Sequence, residues 1–369
     1  MRWSIDWFLL VPAVLITLFG LITMWSIGDA GGLASRQIVW LAVSLFAFAV
    51  VSQMDLRFLR RTEVVVGIYT AAVGALLLLF AIGSVFQGAQ SWFNLGFFAL
   101  QPADPAKLAV IILLAKYFSR RHIEIAHLRH LLVSGLYVGI MVLLLFLQPD
   151  FGGAIIVAGV WGAMVLVAGI PLRRLLLLFG IAAAVLFLLW NFGLADYQKT
   201  RILTFLNPLA DIQGAGYNAF QSTIAVGSGG ILGKGVGYGT QSRLQFLPEH
   251  ETDFIFAAFA EEWGLVGVII ILALFGLIMY RLQMNARTGA TNFESLFAFG
   301  VAAIFLVHAV VHIGMNIGLL PVTGITLPFM SYGGSHLLTE YVMLGMISAM
   351  RRYHVRGRSA EPQEVVGVS

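Results

Sequence analysis

Residues 241–263, QSRLQFLPEHETDFIFAAFAEEW, place three carboxylates, Glu249, Glu251 and Asp253, directly ahead of a long apolar run. Asp253 thus stands where lipid meets water, a place where an ionisable side chain is costly and seldom idle. A carboxylate held there suits general-base work on a hydroxyl of a substrate that is part lipid and part sugar. The competing reading is a helix N-cap, for which Asp is a favoured residue. Sequence leaves both open, and Glu249 joins Asp253 as a substrate-binding candidate.

Polar residues gather at four further places: 87–94 (QGAQSWFN), 101–107 (QPADPAK), 148–152 (QPDFG) and 316–335 (NIGLLPVTGITLPFMSYGGS). With the 195–253 segment, these breaks in apolar runs point to a polar cavity, because irregular backbone at membrane depth is tolerated where it lines one. Ordinary span ends are the alternative. Asp104 and Lys107 are three residues apart, share a helix face and can pair, as a clamp or as an anion site. Asp150 is a binding candidate or the cap of the helix that follows. Ser331 is a further binding candidate. The cations Lys199, Arg201, Lys234 and Arg243 could hold a pyrophosphate or be solvated loop charges. GSGGILGKG is not a phosphate-binding P-loop, because Ser228 and Gly235 replace residues that pattern requires. Glu261 and Glu262 need donors, in a structural or a catalytic role. His308 and His312 share a face but lack a third zinc ligand, so hydrogen-bonded histidines are the simpler reading.

The elements that position these groups are membrane helices. The chain is 59% hydrophobic and 11% charged, more apolar surface than a soluble core of this size could hide. Apolar runs of about 20 residues, each able to cross a hydrocarbon layer of roughly 30 Å, recur throughout. An all-α polytopic membrane protein follows. Ten spans are predicted at 7–27, 37–53, 64–86, 105–118, 131–148, 152–170, 174–194, 254–280, 294–319 and 334–350. The first is read as a retained span, since no small-residue cleavage site follows it. With the N-terminus inside, 16 of the 22 Lys and Arg residues fall on the inner side, which also places the C-terminus in the cytoplasm. The basic balance is therefore the positive-inside signature and not a nucleic-acid footprint. Residues 1–353 read as one membrane domain, with a long outer loop at about 195–253 between helices 7 and 8, and 354–369 as a flexible cytoplasmic tail. The absence of cysteine excludes disulfide and thiolate chemistry.

The segments QPADPAKLA, QPDFG, YQKTRILTFLNP, DIQGAGYNAFQSTIAVGSGGILGKG, GTQSRLQFLPEHETDFIFAAFAEEWG and NIGLLPVTGITLPFMSYGGS together resemble the SEDS family (shape, elongation, division and sporulation proteins). GTQS and FLPE look more like its RodA branch than its FtsW branch. The resemblance implies a ten-span peptidoglycan glycosyltransferase of the bacterial cytoplasmic membrane. Such an enzyme polymerises lipid II on the outer face, releases undecaprenyl pyrophosphate and works with a class B penicillin-binding protein. It maps the family's essential aspartate onto Asp253, its QPSE glutamate onto Asp104, the following lysine onto Lys107 and its QPD aspartate onto Asp150. Three departures stand out: Ser91 where the family commonly has arginine, Asp104 for glutamate, and His312 for asparagine. The implied chemistry is an inverting transfer with Asp253 as base, Lys107, Arg201, Lys234 or Arg243 on the leaving group, and a divalent cation (magnesium or manganese) as an optional helper with unknown ligands. A lipid-precursor flippase and a non-catalytic scaffold are the rival readings.

Overall fold

The computed structural model describes residues 5–28, 32–86, 89–94, 99–120, 128–169, 172–193, 199, 216–244, 246–247 and 249–360. The helices are α1 (Trp7–Ile27), α2 (Leu33–Gln53), α3 (Thr62–Ile82), α4 (Ala103–Ser119), α5 (Leu128–Leu147), α6 (Phe151–Val167) and α7 (Leu172–Leu188, closing in a π turn at Leu189–Gly193). After them come the short α8 (Tyr217–Ser228) and α9 (Thr240–Arg243), then α10 (Ile255–Arg287), α11 (Asn292–Asn316) and α12 (Gly334–Ala360). Strands β1 (Ser84–Phe86), β2 (Ala89–Asn94) and β3 (Ala99–Leu100) form a small antiparallel sheet between α3 and α4.

Among the described residues ten helices have 17 residues or more, one for each expected span. Six of them are long and apolar enough by length and composition to cross a membrane. The fourth, which carries charge, is nonetheless a full helix and almost entirely buried between α3 and α11. The last departs most from expectation: α12 does not stop near residue 350 but runs to Ala360. Arg and Ala are good helix formers, and basic residues near a helix C-terminus complement its dipole, so polarity alone did not end it.

Helix α2 packs along α12, α1 along α10, and α11 touches α4, α6 and α10. Lipid provides no hydrophobic drive between helices, so close packing and internal hydrogen bonds hold such a bundle. Helix α10 has 33 residues, about 50 Å of helix. It is broken at Gly264, whose φ of 63° and ψ of −165° are non-helical. A side chain there would collide with the backbone of Gly233, so the break is also where the glycine-rich loop docks.

Charges at one end of the bundle are paired across helices. Asp6 accepts from Arg281 Nε at 2.8 and 3.0 Å, and Arg351 lies 3.1 Å from it. Arg60 pairs with Glu294, and Lys116 reaches the Arg60 carbonyl. Residues 6, 60, 116, 281, 294 and 351 therefore share one end, as the alternation of basic segments requires. Asp6 is fully buried, so removing it leaves two arginines without their acceptor. Asp6→Ala is expected to cost roughly 3 kcal/mol, the low end for a broken buried pair because both arginines are partly exposed. Thermal unfolding in detergent measures this, and an unchanged midpoint would contradict it.

Candidate active site

The opposite end of the bundle collects the polar segments. Glu249, in a left-handed conformation with φ 50°, starts the turn that leads into α10. Its carbonyl accepts from the backbone N–H groups of Thr252 and Phe254 at 3.2 and 3.1 Å. The turn therefore closes before the helix begins, and the carbonyls of Glu251, Thr252 and Asp253 receive donors from elsewhere. Tyr332 N–H donates to the Glu251 carbonyl at 2.8 Å. Ser331 Oγ donates to that of Thr252 at 2.8 Å, and Asn316 Nδ2 to that of Asp253 at 3.0 Å. All three donors belong to the stretch from the end of α11 to the start of α12. Gln37 of α2 brackets that stretch in turn, donating to the Ser331 carbonyl at 3.1 Å and accepting from Gly333 N–H at 3.3 Å.

Asp253 is half-buried at the head of α10. The N-cap position falls to Phe254, and the helix N–H of Ala257 is instead satisfied by Asn316 Oδ1 at 3.2 Å. The Asp253 carboxylate abuts Gly324, where an added Cβ would lie 3.5 Å from Oδ2. That is an ordinary van der Waals distance, but Gly324 has φ +69°, so any other residue would be strained there. On its other side this segment meets the start of α6: a Cβ on Gly152 would sit 2.8 Å from the Thr323 carbonyl.

That contact connects Asp253 to the charges of α4 and α6. Asp150 caps α6 through Oδ1, which accepts from Gly153 N–H at 2.7 Å. It lies within electrostatic reach of Lys107 and Asp104. Asp104 and Lys107 pair at 3.1 Å, and Asp104 also accepts from Ser335 Oγ at 2.8 Å. His336 Nδ1 is 3.3 Å from Asp104, while its Nε2 lies 2.9 Å from Glu340 without hydrogen-bond alignment. Glu340 in turn accepts from the N–H of Phe329, a buried residue in the left-handed region at φ 63°. Together Asp104, Lys107, His308, His336, Thr339 and Glu340 line a small cavity. Ser91, where the family arginine was expected, is buried and directs its hydroxyl to the Gln148 carbonyl at 3.4 Å.

The remaining candidates separate from this cluster. Ser331 is buried, donating to the Thr252 carbonyl and accepting from Leu327 N–H at 2.8 Å, so in this structure it anchors main chain. Lys234 pairs with Glu261 at 2.7 Å. Glu261 also accepts from Thr240, Gln241 N–H and Ser242. Glu262 accepts from Ser26 Oγ at 2.6 Å and Gly237 N–H at 2.9 Å. The glycine-rich loop thus spends its donors on two carboxylates of its own chain. Glu261 lies eight residues, about 12 Å, along the helix from Asp253, so Lys234 is not brought to it. Arg243 is exposed, with Nη1 donating to the Gly237 carbonyl at 3.1 Å. Arg201 lies outside the described residues. His308 and His312 donate to the carbonyls of Ile304 and Ile325 at 2.9 and 2.6 Å. Among the described residues no three His, Asp or Glu side chains converge as a metal-ligand set. Asn316 was missed as an individual residue; its place in the polar 316–335 stretch was the one available signal.

His250, beside the turn, donates from Nδ1 to the Leu247 carbonyl at 2.9 Å, and its Nε2 lies 3.3 Å from Glu251. Burial lowers its pKa, but the hydrogen bond and charge of Glu251, with Glu249 behind, outweigh that and raise it above 6.5. The folded state therefore favours the protonated ring. Its stabilisation is complete below about pH 6.5 and is lost as pH rises through the raised value. Relative to His250→Gln, the parent should have a higher unfolding temperature at about pH 6 and a shrinking advantage toward pH 9. A difference independent of pH would contradict this.

A family model described as "Cell cycle protein" and covering FtsW, RodA and SpoVE matches residues 4–356. The chain is 36% identical over 348 residues to the peptidoglycan glycosyltransferase MrdB of Escherichia coli, covering 93% of each. It is 33% identical over 364 residues to stage V sporulation protein E of Bacillus subtilis, covering 95% of this chain and 98% of that one. Among solved structures, a chain from a study of polymerization and crosslinking by a peptidoglycan synthase complex superposes with a TM-score of 0.82 at 32% identity, covering 95% and 98% of the two chains. The rod shape determining protein RodA of Thermus thermophilus superposes with a TM-score of 0.71 at 30% identity, covering 95% and 97%.

Proposed function

The chain belongs to the FtsW, RodA and SpoVE family of cell cycle proteins, and from that premise we propose that it is a multi-pass membrane peptidoglycan glycosyltransferase that polymerises lipid II with Asp253 as general base. The observation that carries this reading is the clamped turn: a half-buried carboxylate whose own carbonyl and two preceding ones are held by another segment. Catalysis needs reacting groups fixed in place, and such a turn supplies that before substrate arrives.

In the reaction, Asp253 accepts the proton of the 4-hydroxyl of the acceptor GlcNAc. The freed oxygen forms a bond to C1 of the donor MurNAc from the face opposite the leaving group. The C1–O bond breaks, its electron pair leaves with undecaprenyl pyrophosphate, and configuration inverts. Lys107 and Arg243 are the described cations we assign to the leaving group; Lys234 is set aside because its partner Glu261 lies about 12 Å along the helix from Asp253. Arg201 keeps its assignment from sequence. Glu249 shapes the turn through its main chain.

The site faces the outside of the cytoplasmic membrane in this reading, with both termini and the Asp6–Arg281–Arg351 cluster inside. A class B penicillin-binding protein is the proposed partner; the related synthase complex supports it. The flippase alternative loses ground because Glu261, Glu262, His308 and His312, outside the cluster, each have a local structural partner among the described residues.

Asp253→Asn keeps the shape and removes the base. Polymerisation of labelled lipid II by the purified protein with its partner is expected to fall by about 10²–10⁴-fold. A normal rate in a folded variant would overturn the assignment.

A further inference from the structure

We propose that Asn316 is the positioning residue for Asp253, an inference that rests on the reading of Asp253 as the base. Asn316 is the last residue of α11, a place where a polar side chain usually meets water, yet it is completely buried. Its amide has two donors and an acceptor oxygen with two lone pairs, and all are used. Nδ2 donates to the Asp253 carbonyl at 3.0 Å and to the His312 carbonyl at 2.8 Å. Oδ1 accepts from Ala257 N–H at 3.2 Å and from Ser222 Oγ at 3.3 Å. The amide orientation is fixed by these partners, because a flipped group would face a carbonyl with its oxygen and an N–H with its nitrogen.

One side chain therefore holds both the carbonyl of the acid and an N–H in the first turn of the helix that follows it. Ser331 and Tyr332 fix the two preceding residues, but Asn316 alone among these anchors grips Asp253 itself. The side chain of Asp253 swings from the Cα that this bond restrains. A misplacement of about 1 Å at a reacting group can cost on the order of 10²-fold in rate. Ser222 of α8 completes the arrangement from behind, its single hydroxyl proton shared between the Asn316 carbonyl at 2.9 Å and Oδ1 at 3.3 Å, so it supports the amide without touching the acid.

The test uses the full chain with its transpeptidase partner and lipid II as substrate, comparing Asn316→Asp, Asn316→Ala, Ser222→Ala and Asp253→Asn. Asn316→Asp keeps the acceptor and the shape but loses the donor to Asp253. It is expected to lower kcat by about 10- to 100-fold, with KM for lipid II within about twofold, and to displace the acid limb of the kcat–pH profile. Asn316→Ala should do the same, and Ser222→Ala should cost only a few-fold. A merely structural role would reduce the amount of folded enzyme but leave kcat per folded molecule and the pH limb where they were. Parent-like kcat and pH profile in either folded Asn316 variant, with Asp253→Asn inactive, overturns the proposal and spares the base. Failure of both Asn316 variants to fold assigns the residue to the scaffold and overturns it too. An active Asp253→Asn overturns the reading beneath it.

Discussion

Backbone carbonyls at the head of a membrane helix cannot be left without donors, because neither lipid nor a packed helix end supplies water to them. At the head of α10 this requirement falls on three successive residues, Glu251, Thr252 and Asp253. Their own turn cannot serve them, since its N–H groups already close back on Glu249. The donors come from Tyr332, Ser331 and Asn316, so the turn is held by a segment at least 63 residues away in the chain. Each such bond contributes only about 1 kcal/mol net, yet breaking one leaves a buried polar group unsatisfied at a higher cost. The result is a stiff mount for one carboxylate.

The charged residues of the interior follow the same rule. Asp104 is surrounded by Lys107, Ser335 and His336, and His336 stands beside Glu340. Glu340 grips the N–H of Phe329, whose left-handed backbone is the strained point of the PFMSYGG stretch. That stretch then supplies Ser331 and Tyr332 to the turn. The buried charge cluster of α4 and α12 and the mount of Asp253 thus meet through the segment from Phe329 to Glu340. Deeper in α10, Glu261 and Glu262 do comparable work for the glycine-rich loop, docking it against the break at Gly264.

Much of this was legible in sequence, for reasons that can be named. Spans announce themselves because a helix in lipid needs about 20 apolar residues, and each predicted span has its helix. Asp104 with Lys107 was legible because a spacing of three puts both on one face. Asp150 offered cap and ligand readings, and the cap is formed. The Lys234–Glu261 pair was illegible, as it joins residues 27 apart through a loop whose path depends on glycine packing. Asn316 was illegible for the same kind of reason: nothing local in the end of an apolar helix says which distant carbonyl its amide will meet. The end of α12 was misplaced because polarity was read as a stop, although helix propensity continued.

The account stands on Asp253 being presented to the outer surface by this mount. A chain without cysteine allows that to be measured cleanly with Asp253→Cys. In cells stripped of their outer layers but with the cytoplasmic membrane intact, a membrane-impermeant maleimide should label the new thiol from outside. Labelling that appears only after the cytoplasmic face is opened, or only after the protein is denatured, would contradict the account.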